Sequence, residues 1–222
     1  MVNIGLIITA AGKSTRFGRG RSKIFAEIDG KSVINKTVSC FHNIPDIRNI
    51  VITHSAGAEN DIKNALYPLE TKADICFTKG GTTRQKSVFL GLKKLLPKHT
   101  DYVLIHDAAR PWVDQTLIQQ VITSMKQHQA CIPVLPIIDA VKEVDSNGFI
   151  QQALDRTNLR RAQTPQGFSF QEIYAAHETA EENGYNAHDD AELFSIFCGP
   201  VATVPGNEKN KKITHKEDIR WT

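Results

Sequence analysis

No pair among the four cysteines forms a C-x-x-C unit. Cys40, Cys76, Cys131 and Cys198 are widely separated, each in or beside an apolar segment, which excludes a disulfide framework or a zinc ribbon and reads as reduced thiols in a cytoplasmic protein. No apolar run approaches the roughly 18 residues of a membrane span, and Met1 leads into a strand-like run without a basic leader, so neither a membrane partner nor export is expected. Excess charge of one sign is slight as well. A net charge of +3 and a pI near 8.6 are too mild for a nucleic-acid binder, and neither an aromatic RNA-binding signature nor a zinc spacing is present.

Glycine is missing where two phosphate-binding motifs need it. The stretch "AAGKSTRFGRGRSK", Ala10 to Lys23, contains a Gly-Lys-Ser, but a P-loop needs a further glycine five residues before Gly12, and that position is Ile7. A dinucleotide fingerprint read from Gly12 meets Ser14 and Phe17 where glycines belong. What the stretch has is positive charge: Lys13, Arg16, Arg19, Arg21 and Lys23 all precede the first acid, Glu27. A second basic stretch, "NEKNKKITHK", lies near the end of the chain, and the two would form one anion site if they met in space.

With 222 residues, 41% of them hydrophobic, the chain can bury a core without a metal or disulfide, and residues 1–222 are expected to form one domain. Strand-like runs at 3–9, 49–54, 74–78, 102–106 and 130–135 alternate with helical stripes such as Ile34, Val38, Phe41 and Val88, Leu92, Leu95 and Ile118, Val121, Ile122, Met125. That alternation predicts βαβ units on a parallel sheet. Between residues 139 and 161 the period changes to two around Ser146-Asn147-Gly148, which predicts a projecting β arm. A two-stranded arm is marginal alone, so it is expected to pack against a second copy of the chain. Two further helices, in "SFQEIYAAHETAEENG" and "DDAELFSIFC", and a late strand in "PVATVPG" complete the pattern.

In an open α/β sheet, ligands bind where strands hand over to helices. Ala10, Ala11 and Gly12 leave room for a ligand against the backbone, and Arg16 and Lys23 suit phosphate oxygens. In "KGGTTRQKSV", Thr82 or Thr83 would cap a helix while glycine backbone and Ser87 read a base edge. Asp107, immediately after a strand in "LIHDAARPW", suits Mg²⁺, which takes one or two carboxylates plus phosphate oxygens. Small Ala108 and Ala109 beside it leave space for a ligand. Arg156, Arg160 and Arg161 on the arm, with Lys211 and Lys212, could orient a second anionic substrate.

"AAGKSTRFG" followed by Lys23, then "GGTTRQKSV", "HDAARP", "DR", "QTPQGF", "HDDAELF" and "NKKIT" occur in the order found in cytidylyltransferases acting on 2-C-methyl-D-erythritol 4-phosphate. The chain resembles that family from Ile4 to about Asp218. The resemblance implies a Rossmann-like, mostly parallel sheet flanked by helices, with the β arm used in a homodimer. It implies transfer of a cytidylyl group from CTP to a sugar-alcohol phosphate with Mg²⁺, releasing pyrophosphate. By motif, Arg16 and Lys23 would stabilise charge on the CTP phosphates and Asp107 would bind the metal. Arg156 and Lys212 would position the sugar phosphate, with Arg156 supplied across the dimer. Ala10, Ala11, Gly12, Gly81, Thr82 and Ser87 would surround the cytidine, Ala108 its ribose, and Arg110 and Thr164 the second substrate. Ala140, His188 and Thr82 depart from the residues common in the family at those places. The alternatives are another polyol phosphate, such as ribitol 5-phosphate, as acceptor, or a non-catalytic nucleotide-binding domain.

Overall fold

The structure is a computed structural model that describes residues 2–12, 14–18 and 22–220, without the side chains of Arg16 and Arg220. Lys13, Arg19 and Arg21, and the side chain of Arg16, therefore lie outside the described residues. In chain order the elements are β1 (Ile4–Ala10), β2 (Glu27–Ile28), β3 (Lys31–Ser32), α1 (Val33–Ser39), β4 (Ile47–His54), α2 (Glu59–Leu66), β5 (Asp74–Lys79), α3 (Arg84–Leu95), β6 (Tyr102–Asp107) and α4 (Gln115–His128). They continue with β7 (Ala130–Pro136), β8 (Val141–Val144), β9 (Ile150–Leu154), β10 (Arg160–Ala162), β11 (Gln166–Ser169), α5 (Phe170–Glu182), α6 (Asp190–Phe197) and β12 (Ala202–Pro205).

The main sheet runs β5–β4–β1–β6–β11–β7, with β12 parallel to β7 and β10 antiparallel to its far end. Strands β5, β4, β1 and β6 are mutually parallel in the register Thr53 to Thr9 to Asp107, as the alternating strand and helix pattern predicts. Side chains of β1 alternate across the sheet. Leu6 and Ile8 join Ile34, Val38, Phe41, Ile118 and Val121 on one face, while Ile7 joins Val88, Leu92, Phe168, Ile173 and Phe194 on the other. The three helical stripes read from the sequence are all core faces. Among the described residues no helix is long and apolar enough to cross a membrane.

Strand β11 interrupts the parallel order. It lies antiparallel to both β6 and β7, pairing Gln166 with Ile105 and Gly167 with Cys131. Its sequence, Gln-Gly-Phe-Ser, lacks an apolar run, which is why no strand was expected there. It is buried by its neighbours, and Gly167 is needed because a Cβ there would meet the Met125 sulfur at 2.6 Å.

The arm forms as predicted, β8 pairing with β9 in antiparallel register. Its turn is closed by Asp145, whose Oδ1 accepts the amides of Asn147 and Phe149 at 2.9 Å each, while Gly148 takes φ +87°. Both strands are exposed apart from the half-buried Val141, and Val144, Phe149 and Ile150 are each more than half exposed.

Candidate active site

Strand order reverses between β1 and β6, since the chain proceeds outward on one side through β4 and β5 and returns on the other to β6. A crevice at the carboxyl ends of such a pair is where open α/β sheets receive ligands. Here it is a cavity of about 370 Å³ lined by Ala10–Gly12, Lys23, Thr82, Ser87, Asp107–Ala109 and Lys212, among others.

Its floor is made of small residues brought close together. A Cβ on Gly80 would lie 2.4 Å from the Ala11 Cβ, so glycine permits the turn after β5 to approach the one after β1. Thr83, rather than Thr82, caps α3, its hydroxyl accepting the Lys86 amide at 3.0 Å. Thr82 is left at the cavity rim. The Gly81 amide donates to Ser87 Oγ at 3.1 Å, and that hydroxyl donates to the Thr83 carbonyl at 2.8 Å.

The two basic stretches of the sequence do meet. Lys23 Nζ donates to the Ile213 carbonyl at 2.7 Å, and the Ile213 amide donates to the Ala109 carbonyl at 2.8 Å. Arg110 Nη1 donates to the Asn210 carbonyl at 2.7 Å. The segment carrying Lys211 and Lys212 is thereby fixed against the end of β6.

Asp107 is the electrostatic centre of the cavity. Its Oδ2 lies 2.7 Å from Lys212 Nζ and 3.7 Å from Arg110 Nε, and its Oδ1 lies 3.4 Å from Arg84 Nε and 3.3 Å from the Thr9 hydroxyl. Burial alone would raise its pKa, but the charges of Arg84, Lys212 and Arg110 outweigh that and hold the carboxyl far below its ordinary range. Among the described residues no three His, Cys, Asp or Glu converge as a closed metal cage. A lone carboxylate with one lightly engaged oxygen fits Mg²⁺, which completes its shell from phosphates and water.

Thr164 stands behind Asp107 rather than on the cavity wall. Its Oγ1 accepts the Asp107 amide at 3.1 Å and lies 3.1 Å from His106 Nδ1. A carbonyl can only accept, so His106 Nε2 carries a proton and donates it to the Arg110 carbonyl at 3.1 Å. Burial pushes the pKa of this ring down to about 4, so at neutral pH the imidazole is uncharged and Nδ1 accepts from the Thr164 hydroxyl. A folded-state value below the ordinary 6.5 means that the unfolded chain takes up a proton first as pH falls. This group's contribution to stability is complete above pH 6.5 and is lost on acidification toward pH 4, by up to about 3 kcal/mol. Urea unfolding at a series of pH values should show that slope, and His106→Gln should flatten it; an unchanged slope in the variant would reject the assignment.

A second cavity of about 450 Å³ adjoins the first, lined by Arg110, Arg161, Gln163, Glu208, Lys211 and Lys212 among others. Lys212 belongs to both walls. Arg156 lies exposed beyond β9 on the arm and lines neither cavity.

Arg84, Asp190, Gln163 and Gln166 were not named from the sequence as site residues. Arg84 lines the first cavity and bonds Asp190 Oδ2 at 2.6 Å as well as facing Asp107. "QTPQ" works as a strap with three hooks. Gln163 bonds the backbone of Asn207 in both directions, Thr164 holds Asp107, and Gln166 bonds Asp189 Oδ2 at 2.8 Å and the Ala191 amide at 3.2 Å. The motifs "GGTTRQKSV", "HDAARP", "QTPQ" and "HDDAELF" contain these side chains, but which atoms face one another follows only from the sheet order.

Comparison with known proteins agrees with this arrangement. A family model described as IspD, 2-C-methyl-D-erythritol 4-phosphate cytidylyltransferase, matches residues 4–222. The 2-C-methyl-D-erythritol 4-phosphate cytidylyltransferase of Bacillus cytotoxicus is 34% identical over 96% of this chain and 93% of its own length. A bifunctional enzyme IspD/IspF of Rhodospirillum rubrum is 39% identical over 99% of this chain, which spans 56% of it; the chain covers about half the length of such bifunctional relatives. Among solved structures, the 4-diphosphocytidyl-2C-methyl-D-erythritol synthase of Anaerococcus prevotii superposes with a TM-score of 0.85 at 31% identity, covering 99% of this chain and 94% of that one. Fold, crevice and sequence thus agree, and the chain belongs to the 2-C-methyl-D-erythritol 4-phosphate cytidylyltransferase family.

Proposed function

We propose that the chain transfers a cytidylyl group from CTP to 2-C-methyl-D-erythritol 4-phosphate, giving 4-diphosphocytidyl-2-C-methyl-D-erythritol and pyrophosphate. The observation that carries this reading is the crevice between β1 and β6, where a small-residue floor, Lys23, Lys212 and Asp107 enclose one cavity beside a second basic one.

The chemistry is displacement at the α-phosphorus. A phosphate oxygen of the acceptor forms a bond to that phosphorus, the bond to the bridging oxygen breaks, and pyrophosphate leaves with the electron pair. The nucleophile is already anionic and no general base is needed, so acceleration comes from positioning and from charge fixed in advance. Lys23 and Arg16 serve the triphosphate. Ala10–Gly12 let it lie against the backbone, Gly81, Thr82 and Ser87 border the base, and Ala108 the ribose. Lys212, shared by both cavities, aligns the acceptor with the α-phosphate, with Arg110 beside it. Thr164 acts from behind, through Asp107. Mg²⁺, held by Asp107, would draw charge from the phosphates as they separate.

The second part of the proposal is a homodimer. Val144, Phe149, Ile150 and Leu154 on the arm are exposed apolar side chains that a partner copy would cover, and the same docking would carry Arg156 to the partner's acceptor cavity. Four free thiols suit a cytoplasmic setting.

Pyrophosphate release from CTP tests the reading, with methylerythritol phosphate or ribitol 5-phosphate as acceptor and with or without Mg²⁺. Release with the first acceptor and Mg²⁺ is expected. Release with ribitol phosphate alone would reassign the acceptor, and none with either would reject the activity.

A further inference from the structure

The Arg84 guanidinium sits between two carboxylates and is held unequally by them. Nη1 is 2.6 Å from Asp190 Oδ2, whereas Nε is 3.4 Å from Asp107 Oδ1. Asp190 cannot follow Arg84 toward the cavity. Its side chain is 1% exposed, and its other oxygen faces His177 Nε2 at 3.4 Å, with that ring stacked on Phe89. The backbone that carries it is pinned as well, because Asp189 caps α6 and Gln166 bonds both Asp189 and the Ala191 amide. Asp107 in consequence has two unequally engaged oxygens: Oδ2 lies 2.7 Å from Lys212 Nζ, while Oδ1 accepts long hydrogen bonds from the Thr9 hydroxyl at 3.3 Å and from Arg84 Nε at 3.4 Å.

We propose that Asp190 is a positioning residue that holds the Arg84 guanidinium back from Asp107, keeping Oδ1 available to the divalent cation that accompanies the nucleotide phosphates. The inference rests on the nucleotide-binding reading of the first cavity. A half-buried guanidinium that loses its closest carboxylate is drawn to the nearest remaining one, and Asp107 Oδ1 is already 3.4 Å from it. Neutralising Asp190 would therefore let Arg84 close onto Oδ1 and compete with the cation. The cost would come from a changed partner rather than from a missing ligand, which makes it separable by experiment.

The test is Mn²⁺ binding to the full chain in the presence of CTP and without acceptor, read by electron paramagnetic resonance. Asp190→Asn should weaken Mn²⁺ binding roughly ten-fold, within the coupling range of neighbours in one ionic network. Adding Arg84→Met should restore affinity to within about three-fold of the starting protein, because the competitor is gone. The double variant removes one charge of each sign from a buried pair, a change proteins often tolerate, so it stays informative even if Asp190→Asn alone fails to fold. Unchanged affinity in Asp190→Asn would overturn the proposal. A double variant that remains ten-fold weak would overturn it too, since Asp190 would then act by another route, such as the seating of α6. Failure of the unaltered protein to bind Mn²⁺ with CTP would reject the nucleotide reading itself, and that outcome is visible in the control arm.

Discussion

Lys23→Ala is expected to lower kcat by roughly 10²–10³-fold, the cost usual for one preorganised donor facing developing charge. The melting temperature should move little. Lys23 Nζ lies on the cavity wall and donates to the Ile213 carbonyl at 2.7 Å, a bond that fixes where its charge stands. One such hydrogen bond contributes about 1 kcal/mol to folding, so thermal unfolding separates loss of charge from loss of structure. If the ammonium acts mainly on the transition state, kcat and kcat/KM fall together; if it acts equally on bound CTP, KM alone rises. Turnover at the wild-type rate would remove Lys23 from the mechanism.

Asp107→Asn should have the broadest consequences. The carboxylate faces Lys212, Arg84 and Arg110 at 2.7, 3.4 and 3.7 Å, and an amide leaves those three cations facing one another. Removing one partner of a fully buried ion network typically costs about 3–5 kcal/mol, and the cost here should be smaller because the side chains of Lys212 and Arg84 keep 40% and 29% exposure to water. Activity should fall by three orders of magnitude or more, since the proposed metal ligand and the group orienting Lys212 are lost together, roughly 4 kcal/mol in the barrier. The direction of an anion effect separates this account from simple misfolding. Pyrophosphate should raise the melting temperature of the variant more than that of the starting protein, because the freed cations seek a counter-ion. Equal shifts in the two proteins would contradict the charge assignment.

Much of the architecture was legible before any coordinates. Runs rich in β-branched residues located β1, β4, β5, β6 and β7 to within two residues, and the apolar stripes located α1, α3 and α4, because burial on a sheet and on a helix leave different periods in a chain. Ser146-Asn147-Gly148 located the arm. The chemistry-bearing turns were legible too, since charge or small residues right after a strand end stand out against an apolar run. Strand β11 was not legible, because a four-residue strand held by its neighbours needs no apolar pattern of its own. Nor were Arg84, His106 and Asp190 read as parts of the site. Arg84 stands in the first turn of α3, His106 near the end of β6 and Asp190 at the start of α6, places that such residues fill without any site.

Sequence by itself determined which elements form and which side chains stand at the ends of strands, because both depend on local preferences and on short-range spacing. Tertiary structure alone decided that Lys23 and Ile213, 190 positions apart, share a hydrogen bond, and that Arg84 spans Asp107 and Asp190. Those meetings depend on the lateral order of the strands, which is set by how whole faces pack rather than by any stretch of residues, and on charges whose partners become fixed only once water has been excluded between them.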